Sequence, residues 1–229
     1  MMREGVVSTL DRKQRRRPAV ERLLTRLGGP RLDVKRARDY WSVPQGDEGR
    51  LVYVAMGDSV AQGLGASRPE RGYVGLLAHR LGDARVINLS RSGARVRDVL
   101  DRQLPALATL PRVDVVTLDI GGNDVRSFDP RRFEEEIGEL VSLLPVGTVV
   151  ADIPYFMHGH WERDATEASR LLQAAAAAHG VSVVPIHELL RRRGWRGMFG
   201  DYAGDFFHPN DRGHAIWAEA FWSVLGERG

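Results

Sequence analysis

At 229 residues and 43% apolar content, the chain is long enough to bury one medium-sized core with an appendage. It has no cysteine, which excludes disulfides, thiolate zinc sites and a cysteine nucleophile together. The net charge is only +3, but the first 50 residues hold 13 Lys/Arg against 7 Asp/Glu, so the remainder is mildly acidic. A basic leader can attract nucleic acid or anionic lipid, yet no binding motif accompanies it and no nucleic-acid partner is expected. No apolar run approaches the roughly 18 residues of a membrane span. No signal-type apolar segment follows Arg15-Arg16-Arg17, and the expected compartment is the cytoplasm.

Residues 1–17 are polar, Arg-rich and aperiodic, the composition of a disordered arm. Residues 18–27 put Val20, Leu23, Leu24 and Leu27 on one helical face and stop at Gly28-Gly29-Pro30. Residues 32–41 read as a second short helix that packs back through Tyr40 and Trp41. Residues 42–49, with Pro44 and Gly46, read as a polar linker. The expected division is a basic leader over 1–49 and a main domain over 50–229.

From there strands and helices alternate. Residues 51–56 are apolar, with β-branched and aromatic side chains, which suits a strand covered on both faces. Gly57-Asp58-Ser59 breaks that run. Further strands are expected at 85–89, 113–120, 147–153 and 181–186. Helices are expected at 73–81, 96–104 (stopped by Pro105), 130–144 with Asp129 as N-cap, 161–179, 187–193 and 212–225. Five strands separated by helices predict an α/β fold, with a five-stranded parallel sheet in a three-layer arrangement. Trp217, Phe221 and Trp222 fall at helical spacing and read as core.

Polar clusters follow the first three strands and precede the last helix. They are Gly57-Asp58-Ser59, Asn88 to Gly93, Gly121-Gly122-Asn123-Asp124, and Asp205-Phe206-Phe207-His208-Pro209. In a parallel sheet the carboxyl ends of the strands open at one edge, where ligands bind. Ser59 is a candidate nucleophile there, although serine at a strand–helix junction also serves as an ordinary cap. His208 could take its proton, and Asp205, three residues earlier, could orient the imidazole. The backbone N–H groups of Ser59 and Gly93 and the side-chain amide of Asn123 could receive an oxyanion. Asp58, adjacent to Ser59, is badly placed to be that acid and suits a turn-stabilising hydrogen bond. Asp119 and Asp124 flank Asn123 and read as supports of its loop.

In this order the four motifs resemble the SGNH/GDSL hydrolase superfamily across roughly residues 51–225, with Val60 in place of the family's leucine. The resemblance implies a flavodoxin-like fold, ester or thioester hydrolysis through an acyl-enzyme, a small-molecule ester substrate and no cofactor. It does not specify the substrate. A non-catalytic module on the same fold and a phosphate-binding loop at 57–65 are the competing readings, the latter weakened by the absence of lysine there.

The aromatic residues Tyr155, Phe156 and Trp161 after the fourth strand are expected to bind substrate. They would form, with the 194–207 loop, a shallow groove for short acyl groups on a small soluble alcohol. His158-Gly159-His160 could be half of a metal site, but a substrate-facing loop fits better, and no metal is expected. His79, His179, His187 and His214 read as surface or capping groups.

Overall fold

The computed structural model describes residues 34–47, 51–82, 84–157 and 159–226. The helix expected over 18–27 lies outside them. A short helix, α1 (Val34–Tyr40), leads into strand β1 (Val52–Gly57). Then come α2 (Tyr73–Arg80), β2 (Arg85–Asn88), a helical stretch α3 over 96–108, and β3 (Val115–Asp119). These are followed by α4 (Pro130–Ser142), β4 (Val149–Ala151), α5 (Gly159–His179), β5 (Ser182–Val184), α6 (Ile186–Asp201) and α7 (Asp211–Gly226). All five strands run parallel in the order β2-β1-β3-β4-β5. That is the flavodoxin-like order, and the chain reverses its direction of travel across the sheet beside β1.

The two-residue period of β1 divides the core. Val54 and Met56 face one layer, formed with α3, α4 and α5. Tyr53 and Ala55 face the other, formed with α2, α6 and α7. Helix α4 shows how sequence makes an element here. The Asp129 side chain accepts the Arg132 N–H at 3.2 Å, Pro130 opens the helix, and Phe133, Ile137, Leu140 and Val141 form its buried stripe. Trp217 and Phe221 are buried as expected, with Tyr73 stacked on Phe221 at 5.0 Å; Trp222 is only partly buried. No helix among the described residues is long and apolar enough to cross a membrane.

Three elements depart from the sequence expectation. Helix α3 does not stop before Pro105. It passes through a π-helical stretch, Val99–Gln103, and resumes as Leu104–Ala108. The wider turn accommodates a proline that cannot donate to the preceding turn. Helix α6 does not end at Arg193. It kinks at Gly194 (φ 49°, ψ −143°) and continues to Asp201, so much of the expected 194–207 loop is helical. Third, the described part of the expected linker, residues 42–47, is not free. Gln45 exchanges two backbone hydrogen bonds with Val86 at the sheet edge, and Trp41 is buried against the α2/α7 layer. Residues 41–45 thus pack on the domain that β1 opens.

His214 is a fourth correction. It is fully buried on α7, not a surface or capping group: Nδ1 accepts the Tyr73 N–H at 3.3 Å and Nε2 donates to the Leu64 carbonyl at 3.0 Å. Burial pushes its pKa down to about 4. The folded chain thus keeps it neutral where the unfolded imidazole, titrating near 6.5, takes a proton. Stability from this group is complete above about pH 6.5 and is lost as the pH falls toward about 4. His214→Asn is therefore expected to be destabilised at neutral pH, with the deficit shrinking by about 2 kcal/mol near pH 4.5 in urea titrations. An equal deficit at both pH values would show that burial does not hold the ring neutral.

Candidate active site

The four polar clusters meet at the carboxyl end of the sheet, beside the point where strand order reverses. Ser59 follows β1 directly and is 97% covered, with 3% relative exposure. Its Oγ lies 2.9 Å from Nε2 of His208, whose Nδ1 lies 2.6 Å from Oδ2 of Asp205. A carboxylate can only accept, so Nδ1 carries the ring proton and Nε2 offers its lone pair to the serine hydroxyl. The other Asp205 oxygen accepts the backbone N–H groups of Phe207 and His208, each at 3.0 Å. Burial works against ionisation of Asp205, but the His208 ring and these two N–H groups outweigh it and hold its carboxyl below the ordinary range.

The Asp205–His208 loop is closed at its stem. Ala203 N–H donates to the His208 carbonyl at 2.8 Å, Asn210 N–H donates to Asp201 at 2.9 Å, and Tyr202 bridges Pro209. The Asn210 amide donates to the Gly200 and Tyr202 carbonyls and accepts the N–H groups of Arg212 and Gly213. Asp201 is fully buried between Arg193 (2.6 Å) and Arg212 (3.1 Å), which anchors the stem to α6 and α7. Within the loop Phe206 takes a left-handed backbone, φ 53°, an uncommon conformation outside glycine. Gly65 (φ 91°) lets the segment after Ser59 lie directly on this loop. A Cβ there would overlap the Pro209 carbonyl and crowd His208.

No acceptor among the described residues takes the N–H of Ser59 or of Gly93. Asn123 is tied to a chain neighbour of each, its Nδ2 donating to Asp58 Oδ2 at 3.1 Å and to the Ala94 carbonyl at 3.0 Å. Asp58 also accepts the Val60 N–H at 2.9 Å, the turn-stabilising role expected of it. Burial raises the Asp58 carboxyl to about 6. Burial likewise raises Asp124 to about 7, while its Oδ2 accepts the Val96 N–H at 3.3 Å and ties the Asn123 loop to α3. Asp119 does not support the loop with its side chain. Its Oδ2 and the Trp217 indole N–H are both buried without a hydrogen bond, and burial drives its pKa far upward.

Side-chain amides to which the sequence assigned no role fix these loops. Gln103, on the π-helical stretch, clamps both backbone groups of Gly57 at 2.8 Å. Gln62 donates to the Ser90 carbonyl at 3.1 Å and accepts the Ser92 N–H at 3.0 Å. Asn88 donates to the Ala61 carbonyl at 2.8 Å and accepts the Ser90 N–H at 3.0 Å. For Gln62 and Asn88 the one available signal was position, within or beside a motif; Gln103, on α3, offered none.

Tyr155 and Phe156 line a cavity of about 50 Å³, with Met157, Met198, Phe206 and Phe207 among its other walls. Phe156 packs against Phe207 at 5.9 Å, and Phe207 packs edgewise on His208 at 4.9 Å. Trp161 does not join this lining. It lies on the first turn of α5, 40% exposed, with its ring against His160. His158 lies outside the described residues, and no group of three or more His, Asp or Glu side chains that could hold a metal ion occurs among them. His187 is part-buried rather than superficial: Nε2 is 3.2 Å from Glu162, which accepts the Phe156 N–H at 2.7 Å.

The family model described as GDSL-like lipase/acylhydrolase matches residues 55–216. The chain belongs to that family, and it is accordingly a carboxylic ester hydrolase. No curated protein matches the sequence significantly. Among solved structures it is similar to a member of the lipolytic G-D-S-L family from Veillonella parvula, with 19% identity, a TM-score of 0.65, and coverage of 77% of this chain and 98% of that one. It is similar to Axe2, an acetylxylan esterase from Geobacillus stearothermophilus, with 24% identity, a TM-score of 0.60, and coverage of 78% and 94%. It is also similar to TesA, with 26% identity, a TM-score of 0.62, and coverage of 76% and 97%.

The close approach at Gly65 yields a test. Gly65→Ala is expected to lower kcat/KM by roughly tenfold or more, because displacing His208 spoils its alignment with Ser59. Gly180→Ala serves as the control, since Gly180 shares a positive φ (66°) but a Cβ there meets nothing. Unchanged kcat/KM in Gly65→Ala would show that the two loops are not in register through this contact.

Proposed function

We propose that the protein is a serine esterase acting on short-chain acyl or acetyl esters of a small soluble alcohol. The observation that carries this reading is the unbroken chain from Ser59 Oγ to His208 (2.9 Å) to Asp205 (2.6 Å). In the first half-reaction Ser59 Oγ attacks the ester carbonyl carbon as its proton passes to His208 Nε2. Asp205 stays ionised and stabilises the imidazolium. The oxyanion is received by the N–H groups of Ser59 and Gly93 and by Asn123, which shares the N–H it otherwise gives to Asp58. Collapse breaks the ester C–O bond, and the alcohol leaves with the His208 proton. Water, deprotonated by the same nitrogen, then attacks the acyl-Ser59 carbonyl; the acyl C–Oγ bond breaks, His208 returns the proton to Ser59 Oγ, and the carboxylic acid is released. The ester, water and this chain supply every atom in the sequence, so the proposed steps use no cofactor.

Cavity size supports the short acyl group. The cavity is small, about 50 Å³, and is walled by aromatic and methionine side chains beside Asp58 and Val60, which favours a short acyl group. Tyr155 and Phe156 are the substrate-binding residues of this reading, without Trp161. One feature favours a second reading, a longer apolar acyl chain as in lysophospholipase or thioesterase substrates. Trp195, Phe199 and Phe206 stand exposed in a row of ring contacts beside the cavity's Met198 and Phe207 walls.

Ser59→Ala is expected to abolish turnover with the fold intact, and a serine-directed organophosphonate should label Ser59 and no other serine. A label elsewhere, with Ser59→Ala still active, sinks the assignment. Asn123→Ala is expected to lower kcat by roughly a hundredfold with little change in KM, because its donor acts mainly on the developing oxyanion. A rise in KM alone would make it a ground-state contact. Across p-nitrophenyl esters, kcat/KM is expected to plateau by about hexanoyl, since each methylene gains roughly 0.8 kcal/mol only where it is buried. A steady climb to palmitoyl favours the second reading.

A further inference from the structure

Trp41 lies outside the stretch matched by the family model, yet it reaches the site. Its ring is buried, 7% exposed, in the layer formed with α2 and α7, and Tyr40 packs edge-on against it at 4.6 Å. Its indole N–H donates to the Gln62 backbone carbonyl at 3.0 Å, inside the protein. Gln62 is itself buried, 4% exposed, and its side-chain amide spans to the next loop, donating to the Ser90 carbonyl and accepting the Ser92 N–H. Ser92 immediately precedes Gly93, and Gln62 N–H donates back to the Asp58 carbonyl at 3.3 Å, beside Ser59. The segment bearing Trp41 cannot drift, because Gln45 is paired to Val86 by hydrogen bonds of 2.7 and 2.9 Å.

We propose that Trp41 is a positioning residue for ester hydrolysis, holding the Gly93 N–H in line with the Ser59 N–H through Gln62. The physical basis is that an oxyanion donor works by preorganisation. A donor displaced by a fraction of an ångström must reorganise when charge develops, and that cost falls on kcat. A bond from a rigid, buried indole to the backbone of the residue that braces the Gly93 loop removes that freedom. The pre-domain segment thereby contributes to the rate while touching no substrate. This inference rests on the reading of Gly93 and Ser59 as oxyanion donors.

The test uses the full chain with p-nitrophenyl acetate. Trp41→Phe keeps a ring in the socket and removes the N–H; benzothienylalanine at position 41, isosteric with tryptophan but without the N–H, separates hydrogen bonding from packing. Both are expected to lower kcat about tenfold, less than the roughly hundredfold of losing an oxyanion donor outright. KM should stay within about twofold, and the melting temperature within about 4 °C. Gln62→Met, or Gln62→Glu if the first does not fold, completes a double-mutant cycle. If Trp41 acts through Gln62, Trp41→Phe costs little further kcat in that background. Unchanged kcat in the benzothienylalanine protein, or effects that simply multiply in the cycle, would overturn the proposal. Phosphonate labelling of Ser59 in the unsubstituted protein keeps the two failures apart. If it turns over and labels at Ser59 while the Trp41 variants match it, only this inference falls; no label at Ser59 removes the underlying reading as well.

Discussion

The constraint on which this site depends is that buried backbone polar groups must be paired. The strand ends and loops at the carboxyl end of the sheet are buried, and on the β2 side the strand ladder stops short of them. Side-chain amides substitute for the missing strand. Gln103 presents one donor and one acceptor to Gly57 as a parallel neighbour would, and Gln62 does the same for Ser90 and Ser92. Asn210 closes the histidine loop in this way. An amide suits the task because it offers both hydrogen-bond polarities and adds no net charge beside the reacting atoms.

The carboxylates divide by environment. Asp58, Asp119 and Asp124 sit where burial outweighs the few donors they meet, and each is shifted toward its neutral form. Asp205 is more open, and the His208 ring and two backbone N–H groups hold its carboxyl below the ordinary range. Asp205 is also the carboxylate in hydrogen-bond contact with the imidazole, at 2.6 Å, so it is placed to hold a positive ring. The acid that lies next to Ser59 in sequence is therefore not the one that serves its histidine. Separation of neighbouring carboxyl groups by donor count is a general way in which one site keeps an acid and an anion at the same pH.

The sheet and the polar clusters were legible because both are written locally. Apolar runs of strand length ending in Gly57, Asn88 or Gly121 mark where strands stop, and parallel connectivity then brings those ends to one edge. What was not legible depends on tertiary context. Nothing near Pro105 indicates that a wider turn will carry the helix past it and bury Gln103. Gly194 reads as a helix stop, but Asp201, paired with Arg193 and Arg212, makes the segment beyond it fold again. His214 lies on a helix like any surface histidine; its burial follows only from α7 packing on the turn that begins α2. Trp161 showed the opposite failure. Its position in the sequence suggested the groove, and the first turn of α5 carried it away.

The closed stem beneath Asp205 and His208 also bears on how the domain can vary. Those two residues are three apart in the chain and are fixed by their own loop, whereas His208 and Ser59 are separated by 149 residues. Lengthening the chain between distant partners is entropically cheap, about 0.6 kcal/mol for each doubling of a flexible loop. Lengthening within the stem would instead break bonds that hold the histidine. The architecture therefore confines its intolerance of insertions to short windows, and leaves the segments after β4 and after Gly194 free to be recast. A scaffold with that distribution of rigidity can exchange the walls of its cavity while the proton-transfer pair travels intact.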